Sequence, residues 1–140
     1  MATHTGGCLC GAIRYEITGE PVRVANCHCD ECRRATGASF ATVAFFSEED
    51  VQVVRGTPKQ FGHAADSGNT MTKEFCGDCG SQLLGAGSGS PGIRSVRVGS
   101  LDDAGFVVPQ MDLYTGKALP FTRLSDATEH FVAGRPRHGR

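Results

Sequence analysis

The sequence predicts a mainly β protein, built from short antiparallel sheets with little helix and organised around metal. Three observations predict it. Apolar and polar residues alternate at period two in several short segments, Gly, Pro and Asp break the chain between them, and seven cysteines stand in three tight groups. A chain of 140 residues is the length of one domain. Its apolar material is thin, with no Trp, ten Phe or Tyr and 19 Gly, so order has to come partly from elsewhere.

Taken in order, Ile13, Tyr15 and Ile17 alternate with Arg14, Glu16 and Thr18, the period of a half-buried strand. Residues 22–25, 40–45, 51–55, 71–75, 93–98 and 106–114 repeat the pattern more weakly, separated by breaks such as Gly19-Glu20-Pro21 and Gly56-Thr57-Pro58. Many short strands between turns point to antiparallel sheet rather than a wound α/β fold. The best helix is residues 30–36, with Asp30 as N-cap and Gly37 as the left-handed stop. A single turn is expected from Ser47, with Glu48, Glu49 and Asp50 favourable at its start. The stretch 85–92 lacks the Gly-Lys-Ser/Thr ending of a phosphate loop and reads as a flexible connection. Residues 1–134 form the expected domain, and 135–140 an expected disordered basic tail.

Charge and hydropathy exclude several classes. The formal net charge is −1, without the basic surplus of a duplex-binding protein, so no nucleic-acid partner is expected. The first residues carry no basic and apolar signal pattern, and the weakly polar run 38–46 is too short for a bilayer. A cytoplasmic protein without a membrane partner is the expectation. In a reducing compartment paired thiols point to metal before disulfide, and an odd count fits a disulfide framework poorly.

The cysteine groups are Cys8-Leu9-Cys10, Cys27-His28-Cys29-Asp30-Glu31-Cys32 and Cys76-Gly77-Asp78-Cys79. In Cys76-x-x-Cys79-Gly80 a tight turn points backbone amides at sulfur, and Gly80 takes a conformation other residues resist. Cys8 and Cys10, two apart, leave one face of an extended strand and complete a four-thiolate site with Cys76 and Cys79. Cys27, Cys29 and Cys32 are then left as a three-ligand set, one short of tetrahedral, the arrangement by which zinc enzymes keep a position for substrate. The helix start and the neighbouring Arg33 and Arg34 favour thiolate there. Spacing alone also permits Cys27 and Cys29 to join Cys76 and Cys79, leaving Cys8, Cys10 and Cys32. His28, between two candidate ligands, is expected to point away from them.

Three segments carry a family resemblance: Gly7-Cys8-Leu9-Cys10-Gly11-Ala12-Ile13-Arg14-Tyr15, the run from Cys27 through Cys32 to Arg33-Arg34-Ala35-Thr36-Gly37-Ala38, and Phe75-Cys76-Gly77-Asp78-Cys79-Gly80-Ser81. Gly99-Ser100-Leu101-Asp102-Asp103 is a fourth echo. Together they resemble the glutathione-dependent formaldehyde-activating enzymes, whose domain is shared with centromere protein V. The resemblance implies a β-tent fold with two zincs per chain. It implies a structural site of Cys8, Cys10, Cys76 and Cys79, and an open catalytic site of Cys27, Cys29 and Cys32. The implied activity is formation of S-hydroxymethylglutathione, a carbon-sulfur lyase reaction, and the implied substrates are glutathione or another thiol with a small aldehyde. Either a monomer or a homodimer fits.

The last third departs from that pattern. Family members commonly carry a His and a Trp after the Leu-Asp-Asp segment. Here residues 111–121 hold no His, and Phe121 stands where the Trp is expected. Candidate anchors for substrate carboxylates are Arg33, Arg34, Arg94, Arg97 and Lys117. The competing reading is a non-catalytic zinc-stabilised binding module, and a thiol-based redox or metal sensor is a third. A zinc deaminase is excluded, since His28 is followed by Cys29-Asp30 and not by x-Glu.

Overall fold

The computed structural model describes residues 3–135 and is mainly β, as the alternation requires. Of the tail, residues 136–140 lie outside the described part. Strands β1 (Thr3–Gly7), β2 (Arg14–Thr18) and β5 (Val51–Arg55) form a three-stranded sheet in the order β1-β2-β5. The remaining strands are β3 (Arg23–Cys27), β4 (Ala41–Ser47), β6 (Lys59–Ala64), β7 (Thr70–Phe75), β8 (Gln82–Gly87), β9 (Ile93–Arg97), β10 (Met111–Leu113) and β11 (Glu129–His130). They build a second sheet in the order β11-β10-β3-β4-β9-β8-β7-β6. Its pairs are antiparallel except that β10 runs parallel to both β3 and β11.

The core lies between the sheets. Tyr15, Ile17 and Val51 come from the small sheet, and Phe46, Leu84 and Val96 from the large one. The alternation in β2 is what delivers its part: Tyr15 and Ile17 are fully buried while Glu16 and Thr18 face solvent. Cys8 and Cys76 belong to the same buried cluster, so one sulfur group is continuous with the core.

Helix α1 (Asp30–Thr36) connects β3 to β4 and ends at Gly37 with φ 70°, as expected. Its N-cap differs. Cys29, not Asp30, has the extended conformation, and its sulfur accepts from the Cys32 amide at 3.3 Å. The cap needs an acceptor three residues before that amide, and Asp30 instead meets Arg33 and Lys117, each at 3.2 Å. A 3-10 turn at Glu48–Asp50 matches the acidic start after Ser47.

Two further expectations differ. Of residues 106–114 only Met111–Leu113 is strand, because just this piece reaches the edge of β3. Residues 85–87, read as part of a flexible connection, are the end of β8. Glycine suits that position, since a Cβ on Gly85 would stand 2.8 Å from Ser95 Oγ on the neighbouring strand. Strands β1, β6 and β11 carry no clear alternation. Among the described residues no helix is long and apolar enough to cross a membrane.

Candidate metal centre

Two hairpins bring the first cysteine group together. Cys8 and Cys10 sit in the turn after β1, not on an extended strand, and Gly11 turns the chain with φ 81°. Cys76 and Cys79 sit in the turn between β7 and β8, closed by Gly80 at φ 79°. The turn delivers amides to sulfur: Asp78 N and Cys79 N lie 3.4 and 3.5 Å from Cys76 Sγ, and Ile13 N lies 3.2 Å from Cys8 Sγ. The sulfur of Cys79 meets Ser81 Oγ at 3.3 Å, and this contact is the main reason its thiol is lowered to about 5.

All four sulfurs lie within 4.8 Å of one another. Cys8 and Cys10 are 3.6 Å apart, and Cys10 and Cys76 are 3.7 Å apart. A tetrahedron with metal-sulfur bonds of about 2.3 Å has edges of roughly 3.8 Å, so the set fits a four-coordinate zinc-sized ion. Such a site ties the small sheet to the large one at the edge of the core.

Cys27, Cys29 and Cys32 form the second group, again within 4.8 Å. Cys27 ends β3, Cys29 caps α1 and Cys32 lies in its first turn, so one strand-to-helix corner sets all three. Cys27 Sγ and Cys29 Sγ are 3.4 Å apart. Three thiols so close cannot all ionise unaided. Cys27 is pushed up by its hydrogen bonds with Cys29 and Cys32 and then by burial, whereas those with Cys27 and Cys29 hold Cys32 down at about 3. Arg97 and Lys73 add positive charge that Cys32 feels. A divalent ion replaces the shared protons of such a trio, so the donors fit a soft metal with an incomplete protein shell.

The corner is braced from below. The imidazole of His28 points away from the sulfurs, is buried, and contacts Asp112 Oδ1 through Nε2 at 2.7 Å. Asp112 also accepts from Thr128. Burial alone would raise the Asp112 carboxyl, but His28 and Thr128 outweigh it and hold it below the ordinary carboxylate value. The His28 amide donates to the Leu113 carbonyl at 3.0 Å, so β10 pins both Cys27 and the residue after it.

All three sulfurs line one cavity of about 180 Å³, with Lys73, Arg97 and Tyr114 on its wall. This is smaller than the roughly 300–1,000 Å³ of typical ligand pockets. Tyr114 is the one non-glycine residue with positive φ, 56°, among the described residues, a strained backbone placed at the cavity. Beside it lies an open cleft of about 650 Å³ that shares Glu31 and Lys73 with the cavity and is lined by Arg34, Phe61 and Phe75. A further cleft, about 830 Å³, opens beside Cys8 of the four-cysteine group and shares Arg97 with the cavity.

Of the expected anchors, Arg33 and Lys117 are held by Asp30, and Arg94 by Glu74. Arg97 lines the cavity with its Nε on Gln82 Oε1 at 2.7 Å, and Arg34 lines the adjoining cleft. Sequence reasoning missed Lys73, Tyr114 and Asp112. Lys73 sits at an ordinary strand position, and only strand pairing shows what it faces.

The fold and the two sulfur groups define a small β protein with two cysteine clusters able to hold metal ions. A family model described as glutathione-dependent formaldehyde-activating enzyme matches residues 3–117, and the chain belongs to this family. Its fold is also similar to the crystal structure of a Rhodobacter sphaeroides protein, at 27% identity and a TM-score of 0.57, over 75% of this chain and 91% of that one.

Proposed function

We propose that this chain is a zinc-dependent, carbon-sulfur lyase-like enzyme that joins a thiol to a small aldehyde, in the manner of S-hydroxymethylglutathione synthesis. The carrying observation is the asymmetry of the sulfur groups: four cysteines gather in one cluster, while Cys27, Cys29 and Cys32 form a cluster of three that lines a cavity. In this reading Cys8, Cys10, Cys76 and Cys79 hold a structural zinc, and Cys27, Cys29 and Cys32 hold a second zinc at the reaction site. A metal held by the trio supplies charge that favours the thiolate form of an incoming thiol.

The chain's own residues supply the rest. The small cavity has room for a small aldehyde and a thiol sulfur, and the adjoining cleft with Arg34 suits the anionic tail of a thiol such as glutathione. Arg97 adds a second cation beside Cys32. The domain is taken as a β-tent spanning residues 1–134, and seven unpaired thiols support a site of action in the cytoplasm.

Exchange NMR tests the reading. With zinc-loaded protein, the interconversion of free formaldehyde and its thiol adduct should accelerate for at least one of glutathione, cysteine and 2-mercaptoethanol. Elemental analysis should find two zincs per chain, one of them readily removed by chelator. No acceleration with any of the three thiols, alongside two equally inert zincs, would favour a binding module in which both sites are structural.

A further inference from the structure

The proposed reaction needs positive charge in two places: at the thiol sulfur as it ionises, and at the carbonyl oxygen as it takes up the electrons of its double bond. Three thiolates surrounding a divalent ion leave a net negative cluster, a poor partner for a developing oxyanion. The second charge has to come from the protein.

Lys73 meets this need by position. It is central in β7, opposite Phe61 of β6 and Gly85 of β8. Only 9% of the residue is exposed, and it lines the same cavity as the cysteine trio. Its Nζ lies 2.7 Å from His63 Nε2. An ammonium has only donors, so Nε2 accepts and the imidazole proton sits on Nδ1. Nδ1 in turn lies 3.1 Å from Glu31 Oε2 and 3.2 Å from the Ala64 carbonyl. The chain Glu31, His63, Lys73 thus holds the ammonium from the side of the adjoining cleft, which His63 lines, and uses one of its three protons. Among the described residues no carboxylate lies within 4 Å of Nζ. A buried ammonium is rarely left without an anionic partner. The sulfur trio on the same wall compensates part of the charge, and two protons stay free for an oxygen in the cavity.

We propose that Lys73, held by His63 and Glu31, is a catalytic residue that receives the carbonyl oxygen of a small aldehyde. The assignment rests on the thiol-addition reading above. The sulfur-carbon bond forms, the π electrons of the carbonyl move onto oxygen, and Lys73 donates a hydrogen bond to that oxygen as it becomes negative. The proton lost by the thiol ends on the same oxygen, giving a hydroxymethyl thioether without oxidation or reduction. His63 is a positioning residue, since it acts through Lys73.

The test compares zinc-loaded wild type with Lys73→Met, using glutathione and formaldehyde in exchange NMR. Binding is read separately in cobalt-loaded protein, from the change in sulfur-to-cobalt absorption on adding glutathione without aldehyde. We expect kcat to fall about 100-fold, the loss typical of removing one oxyanion donor. Zinc content and the glutathione titration should stay within about twofold of wild type, so the loss lies in turnover and not in binding. Lys73→Arg should recover most of the rate, and His63→Gln, which keeps an acceptor for the ammonium, should exceed His63→Leu. If Lys73→Met does not fold, Lys73→Arg against Lys73→Gln carries the same comparison.

Unchanged turnover in the Met or Gln variant would overturn the assignment. So would a rate loss that tracks loss of zinc or of glutathione binding, because Lys73 would then only balance the charge of the cysteines. A wild type that accelerates no exchange sinks the thiol-addition reading itself, whereas an active wild type with an equally active variant removes Lys73 alone.

Discussion

At the scale of single residues, the seven thiols are not equivalent. Cys76 is 1% exposed, packs with Leu83 and Leu84 in the core cluster, and collects two backbone amides. Cys29 is half-buried at a corner whose backbone is independently held by the helix and by β10. A structural zinc contributes roughly 10–16 kcal/mol of apparent binding energy in small peptides, and that energy is folding energy where the ligands come from separate segments. Cys76→Ser therefore should abolish the cooperative unfolding transition seen by circular dichroism. Cys29→Ser should keep that transition, lose one zinc of two and lose thiol-adduct turnover. Equal collapse of both variants would show that the trio is structural as well. The brace beneath the trio, His28 on Asp112, belongs to this scale too. Its imidazole reaches the buried Asp112 through Nε2 and is not grouped with the three sulfurs, which fits the expectation that a histidine between two cysteines faces elsewhere.

The strands and turns depend on close approaches that few residues permit. Gly6 in β1 is packed so tightly that a Cβ there would stand 2.4 Å from Tyr15 Oη and 2.6 Å from the Ser100 carbonyl. Tyr15 is fully buried and its hydroxyl meets Ser100 Oγ at 2.6 Å. Gly6→Ala should therefore push β1 away from β2 and from the turn at Ser100, at a cost of about 1–3 kcal/mol, the usual range for overpacking a core. Urea unfolding at neutral pH measures it, and a loss confined to a few tenths would mean that the contact relaxes freely. The sequence announced the elements with strong local signals. Residues 13–18 alternate cleanly, Gly37 stops the only α-helix among the described residues, and Cys-x-x-Cys-Gly turns between two strands. It concealed elements that carry no apolar face or whose partners are distant. Strand β6 is mostly exposed, so no apolar face marks it, and β10 exists because three residues add in parallel to β3. Motif spacing named the sulfur ligands as candidates, whereas Lys73, His63 and Glu31 come from three elements and meet only when β6, β7 and α1 are assembled.

For the molecule as a whole, the question is what joins two sheets that share no strand. The four-cysteine turns do so at one point, and the segment Gly99-Ser100-Leu101-Asp102 does so at another. Asp102 accepts from Arg14 of β2 and from Thr5 of β1, and its amide donates to the Thr5 carbonyl at 2.9 Å. Gly6 bridges Leu101 in the same stretch, so the chain leaving β9 in the large sheet is fastened across the small one. The Arg14 guanidinium, helped by the Thr5 hydroxyl, lowers the Asp102 carboxyl from 3.8 to about 2. A carboxyl that ionises more readily when folded contributes stability above its unfolded value and loses it as acid reaches the folded one. Asp102→Asn should accordingly be less stable than wild type at neutral pH, and the gap in Tm should close as pH falls from about 4 to about 2. Loss of metal in acid affects both proteins and drops out of the difference. The pair is partly exposed, so the gap should also shrink in about 1 M salt, where the screening length is near 3 Å. A gap that is absent at neutral pH, or that persists unchanged to the acid limit, would mean that the sheets are held by the cysteine turns and the core alone.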